Sequence, residues 1–174
     1  FTGATSIGKH VMRAASENLV PVTLELGGKS PVILSDTCNI EVSSRRIMAG
    51  KTMNAGQICL APDYVMLPEN KLESFVSHSK ETINKMFPSI KDNDDYTSVI
   101  NESHYNRLRG YIDEAKRSGC EVLEINPSDE DFEQQEHYKI PPTILINPDD
   151  SLSVMKEEIF GPILPVKTYK DFSE

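Results

Sequence analysis

Cysteine is scarce: Cys38, Cys59 and Cys120 are the three in 174 residues, with no CxxC pair among them. An odd, sparse set excludes a disulfide framework and suits a reducing compartment, so a cytoplasmic setting is expected. No apolar run approaches the roughly 20 residues that span a bilayer, so no membrane segment is expected in this sequence. Basic residues are outnumbered, 18 against 27 acidic, giving a net charge of -9 and a pI near 5.0. A nonspecific polyanion binder concentrates Lys and Arg on one face, so nucleic acid is not an expected partner. His10, His78, His104 and His137 are scattered, without HExxH spacing or a cysteine cluster beside them, and no metal site is expected. There is no internal repeat or low-complexity tract, which excludes a solenoid or linker array. Phe1 has no Met, basic leader or cleavage site around it, so the chain reads as a segment of something longer.

What is present is an ordinary globular composition over a length that suits one domain, or one domain and part of a neighbour. After a turn at Thr2-Gly3, the spacing over 5–18 places Ile7, Val11, Ala14, Ala15 and, less well, Met12 on one helical face. Val20, Val22, Leu24 and Leu26 then alternate with Pro21, Thr23 and Glu25, which predicts a strand ending at Gly27-Gly28 with Thr23 and Glu25 facing away from the aliphatic side. A second strand is predicted over 31–34. A helix follows over 40–54, with Ile47, Met48 and Met53 on its apolar side and Gly56 closing it ahead of Cys59. Strands at 64–67, 121–125, 143–146 and 163–167, with helices over 72–86 and 104–118, complete an α/β alternation. The acidic, polar stretch 126–137 reads as a solvated loop.

Four places could carry chemistry. Cys59 lies in Asn54-Ala55-Gly56-Gln57-Ile58-Cys59, between a helix and Leu60-Ala61-Pro62, so a turn could aim backbone amides at a ligand and favour a thiolate. From spacing alone, a buried, inert cysteine is the favoured reading, since free Cys is commonly a core residue. Glu25, between two leucines, either has a raised pKa suited to a general base or faces solvent from a half-exposed strand. Gly3-Ala4-Thr5-Ser6-Ile7-Gly8-Lys9 is one residue short of a P-loop, because His10 stands where Ser or Thr would ligate magnesium. A glycine turn before a helix can still present amides to a phosphate, and a plain tight turn explains it too. Glu157-Glu158-Ile159-Phe160-Gly161-Pro162 sets two carboxylates before a Gly-Pro turn, with surface charge as the plain alternative.

In order and spacing, Phe1-Thr2-Gly3, Leu24-Glu25-Leu26-Gly27-Gly28-Lys29-Ser30-Pro31, Gly56-Gln57-Ile58-Cys59 and Glu157 through Pro162 together resemble the aldehyde dehydrogenase superfamily over nearly the whole chain. Ala61-Pro62-Asp63-Tyr64 and the wording of Thr2 through Lys9 resemble its class 3 and coniferyl aldehyde dehydrogenase branch.

The resemblance implies a three-layer α/β/α, Rossmann-like catalytic domain over 28–174, with 1–27 as the tail of an NAD(P)-binding domain. It implies oxidation of an aldehyde, coniferyl or another aromatic or long-chain one, to a carboxylic acid with NAD or NADP. Cys59 would be the nucleophile, passing through a thiohemiacetal and a thioester, and Glu25 the base that activates water. Glu158 would bind the nicotinamide ribose and Phe160 pack beside the nicotinamide. Gly3, Ala4, Ile7, Leu26 and Gly27 would line the rest of the cofactor. Many relatives have Ser where Ala4 stands, so only a backbone contact is expected there. The oxyanion would be held by the Cys59 amide and by an upstream Asn side chain this chain lacks. One such donor is worth about 10² to 10³ in rate, so the segment alone is expected to be inactive. A full-length protein is expected to be a homodimer or homotetramer. Two rivals remain: a folded module with an unreactive Cys59, and a magnesium-dependent P-loop hydrolase, against which His10 speaks.

Overall fold

The computed structural model describes residues 1–133 and 136–172; Gln134 and Gln135, within the acidic stretch read above as a loop, lie outside the described residues. The first part is small: β1 (Thr2–Gly3), α1 (Thr5–Glu17) and β2 (Glu25–Leu26), the two strands pairing in parallel. Then follow β3 (Pro31–Ile33), α2 (Ile40–Thr52), β4 (Tyr64–Pro68), α3 (Leu72–Met86), α4 (Glu102–Arg117), β5 (Glu121–Glu124), β6 (Thr143–Ile146), α5 (Ser153–Lys156) and β7 (Ile163–Tyr169).

Those later strands form one sheet in the order β3-β4-β7-β6-β5, parallel except for the antiparallel pairing of β5 with β6. The central strands read as unbroken apolar runs because both faces are covered. Successive residues enter different cores. Ile144, Leu164 and Val166 join Ile47, Met48, Phe75 and Ile83 from α2 and α3, whereas Leu145 and Ile163 join Leu108, Ile112 and Val154 from α4 and α5. The pleat thus gives three layers, α/β/α. Each fully buried aliphatic side chain adds about 1.5–3 kcal/mol to holding them together.

Several boundaries differ from the sequence reading. The strand expected over 20–26 contracts to β2, and Val20 and Val22 are exposed. A strand persists only where a partner accepts its hydrogen bonds; β1 offers two residues, and Pro21 has no N–H to donate. The apolar face of α1 is present but uncovered: Ile7 is 50% and Met12 54% exposed, and only Gly8 is buried, beneath Leu26. Met53 points outward, because α2 stops at Thr52 and the chain changes hand. The acidic stretch is anchored as well as solvated: the Glu130 carboxylate accepts the amides of Ile90 (2.7 Å) and Lys91 (3.0 Å), and Phe132 is buried. The short helix α5 has too little periodicity to be read from the sequence.

Candidate active site

The Asn39 side chain accepts the Val42 amide at 3.0 Å and so caps α2, which aims the chain at the cysteine. After Thr52 comes a left-handed passage: Asn54 has φ 51 and ψ 34, Ala55 φ 52 and ψ 34, and Gly56 φ 73. For a residue with a Cβ this region costs roughly 1–2 kcal/mol, so other contacts must hold it. Gln57 does much of that. Its Nε2 donates to Asn54 O (3.1 Å) and Ser98 O (3.0 Å), and its Oε1 accepts the Ile100 amide at 2.9 Å. Asn54 Nδ2 donates in turn to Gln57 O at 3.1 Å. Gly56 is required twice over, for its positive φ and because a Cβ there would overlap the carbonyl of Gly161.

A tight turn follows over 58–61, closed by the Ala61 amide on Ile58 O at 3.0 Å, with Cys59 as its second residue. The thiol-bearing residue is exposed, not the inert core cysteine that its spacing also allowed. Ser30 Oγ donates to Cys59 O at 3.4 Å, tying the turn to the segment that continues from Glu25.

Across from the turn runs 157–161, held by residues that the sequence reading did not single out. Lys29 Nζ donates to Val154 O (3.0 Å) and Glu157 O (2.9 Å) and forms an ion pair with Asp63. Asp63 Oδ1 accepts the Ile159 amide at 2.9 Å. Arg107 donates to Ile159 O at 2.9 Å, and the Tyr111 hydroxyl donates to Glu157 Oε2 at 2.7 Å. Burial, and then that bond to Glu157, pushes the Tyr111 hydroxyl above its ordinary pKa. Lys51, 1% exposed, completes the charge cluster: burial holds its ammonium down to about 7, against the pull of Asp63. A signal for part of this was available, since Lys29 and Asp63 are opposite charges inside two of the motifs, and Arg107 and Tyr111 lie one helical turn apart.

The residues singled out from the sequence fall into two groups. Glu25, Leu26, Gly3, Ala4 and Ile7 gather around β1, β2 and α1: Thr2 pairs with Glu25 and Gly3 with Leu26, and Ala4 O accepts the amides of Ile7 and Gly8, both at 3.0 Å. Glu25 is exposed, as the half-exposed reading of its strand had it. Cys59, Glu158 and Phe160 form the other group, brought together by the packing of Gly56 on Gly161. The groups meet at Gly27, where a Cβ would overlap the Glu158 carboxylate.

These residues fit a dinucleotide. The first turn of α1 has no acidic residue and follows Ala4, which makes no side-chain cap, so its amide end suits phosphate. Phe160, held at φ 47, is 38% exposed and presents apolar surface beside Glu158. Among the described residues no cluster of three or more His, Cys, Asp or Glu could hold a metal, and no helix is long and apolar enough to cross a membrane.

Comparison with known proteins places this arrangement. The chain is 60% identical over 174 residues to a probable coniferyl aldehyde dehydrogenase of Caulobacter vibrioides, covering 100% of this chain and 36% of that protein. It is 39% identical over 175 residues to the dimeric NADP-preferring aldehyde dehydrogenase of Rattus norvegicus, again covering 100% of the chain and 36% of the relative. Among solved structures, the substrate-bound state of AldH from Staphylococcus aureus superposes with a TM-score of 0.87 at 39% identity, over 99% of this chain and 36% of that one. Betaine aldehyde dehydrogenase from Staphylococcus aureus, in complex with NAD+, superposes at 0.84 with 28% identity, over 100% and 35%. The chain thus spans about a third of the length of these relatives. The sequence pattern of the aldehyde dehydrogenase family matches residues 1–174, and the chain therefore belongs to that family.

Proposed function

We propose that this chain, in a protein of its relatives' length, carries the catalytic centre of an NAD- or NADP-dependent aldehyde dehydrogenase acting on coniferyl aldehyde or a similar aromatic or long-chain aldehyde. The observation that carries this reading is the exposed Cys59 on a stapled turn, packed against the segment that bears Glu158 and Phe160. The 60% identity to a probable coniferyl aldehyde dehydrogenase supports the substrate class. The NADP-preferring relative and the NAD+ complex support the cofactor class.

In this mechanism the Cys59 thiolate adds to the aldehyde carbon and forms the C–S bond of a thiohemiacetal. The Cys59 amide, which the turn's own hydrogen bond does not use, faces the new oxyanion. Gly3, Ala4, Ile7, Leu26, Gly27, Glu158 and Phe160 would hold the dinucleotide, which when bound supplies the hydride acceptor that turns the thiohemiacetal into a thioester. Glu25 takes a proton from water, the hydroxyl adds to the thioester carbon, the C–S bond breaks, and the acid leaves with the Cys59 thiolate restored. Glu25 is exposed, which leaves its carboxylate within reach of water.

The division into a cofactor-domain tail, 1–27, and a catalytic domain, 28–174, belongs to the same proposal and is supported by the separate β1-β2 sheet. So do a homodimer or homotetramer, for which the dimeric relative speaks, a cytoplasmic setting, which suits three free cysteines, and the inactivity of the 174 residues alone. The test is steady-state oxidation of coniferyl aldehyde, benzaldehyde and a long-chain aldehyde with NAD and with NADP, using the sequence extended to its relatives' full length. Acid production that requires Cys59 is expected. Turnover that survives Cys59→Ala overturns the mechanism.

A further inference from the structure

We propose that Asp63 is a positioning residue that holds the segment 157–160 in place over the cysteine turn. The inference rests on the reading of Glu158 and Phe160 as cofactor contacts. Asp63 lies four residues after Cys59, immediately before β4, and its side chain is 3% exposed. One oxygen accepts the Ile159 amide at 2.9 Å, and the other pairs with Lys29. Lys29 has two further donors, which go to Val154 O (3.0 Å) and Glu157 O (2.9 Å), so the same ion pair grips that segment at a second level. The Asp63 amide donates to Ser30 O at 2.9 Å, and Ser30 reaches Cys59 O. Asp63 therefore ties the segment after Glu25, through Lys29 and Ser30, to the segment at Ile159, 96 residues further along the chain, and Ser30 extends the link to the cysteine turn.

Stability alone does not explain this choice. A buried ion pair is often matched or bettered by apolar side chains of similar volume. What an apolar residue cannot supply is an acceptor for the Ile159 amide or a counter-charge that holds Lys29 where its other two donors reach Val154 O and Glu157 O. The buried Lys51 also feels the charge of Asp63, which works against the burial that lowers its pKa. Glu158 seats on Gly27 with no room for a Cβ, so a small displacement of 157–160 changes what Glu158 and Phe160 present.

The experiment uses the full-length protein with Asp63→Ala and Asp63→Asn, each first shown to be folded by its thermal midpoint. Three readings are taken: the Kd for NADH by its fluorescence, the rate of iodoacetamide labelling at Cys59 without cofactor, and exchange of the Ile159 amide. For Asp63→Ala, Kd should rise about 10²-fold, the scale on which a displacement near 1 Å acts. Labelling of Cys59 should change by less than about threefold, a difference well under one decade of free energy. A merely structural defect would raise Kd and change the labelling rate by comparable factors. Asp63→Asn keeps an acceptor for the Ile159 amide and should fall between the two. NADH affinity within about twofold of the unsubstituted protein in both variants, or Asn no better than Ala, overturns the proposal. If Asp63→Ala does not fold, Asp63→Asn decides by the same comparison with the unsubstituted protein. If the unsubstituted protein binds no NADH, the functional reading fails instead. Ile159 exchange then tests the clamp by itself, and an unchanged rate in Asp63→Ala overturns it.

Discussion

Two regions of the molecule carry the residues of the proposed mechanism, and they are built in opposite ways. Around Cys59 the backbone adopts costly left-handed angles, yet the side chains of Gln57 and Asn54 bind it, and Lys29 and Asp63 hold the segment that packs against it. Around Glu25 the backbone is ordinary, but no residue of 1–31 belongs to either core, and Phe1, Ile7, Met12, Leu19, Val20 and Val22 are all exposed. An amphipathic pattern specifies that a helix forms and which side it will bury; it does not supply the surface that buries it.

The sharpest test of the contrast is chemical. In the full-length protein, Cys59→Ala should lower aldehyde oxidation by about 10⁴-fold or more, as removal of a nucleophile does elsewhere, while NADH still binds by fluorescence titration. In the 174-residue chain, Ile83→Ala, in the core, should cost about 2–5 kcal/mol in urea unfolding. Ile7→Ala, on the exposed face of α1, should cost under about 0.5 kcal/mol. Comparable losses at the two positions would erase the distinction between the regions. Gly56→Ala should cost at least about 1–2 kcal/mol from backbone strain alone, with more from the overlap on Gly161.

Lys51 gives a pH signature to the cysteine side. Its folded pKa, about 7, lies below the ordinary 10.5, so between those values the unfolded chain binds more protons and stability rises with pH. Lys51→Met removes that penalty. Its advantage over the unsubstituted protein should be largest below pH 7 and shrink toward pH 10, read as the difference between two urea unfolding series; a constant difference would show that Lys51 does not titrate in this way. Smallest of all, Lys85→Ala on the solvent side of α3 breaks an exposed pair with Glu81 and should leave the thermal midpoint unchanged.

The fold was legible where periodicity is strong. The helix over 72–86 and the strand over 143–146 have the bounds read from the sequence, because each is a local pattern long enough to cover one face or two. The expected strand over 20–26 failed for the opposite reason: its alternation is clear, but β1 pairs with two residues only. Within the site, Gly56, Gln57 and Gly27 stood out by motif, but nothing local showed that Gln57 makes three hydrogen bonds through one amide, two of them to Ser98 and Ile100.

From the sequence alone came the α/β alternation, the position of the cysteine between a helix and a turn, and the four motifs whose joint spacing marks the aldehyde dehydrogenase family. Hydrophobic period and turn chemistry are properties of neighbouring residues, and a row of motifs in register needs no coordinates. Only the tertiary structure decided that Lys29, Asp63 and Ile159 meet, that Gly27 receives Glu158, and that Lys51 is buried with a lowered pKa. Those contacts join segments many tens of residues apart across a sheet whose order, β3-β4-β7-β6-β5, differs from the order of the chain, and no local pattern contains that order.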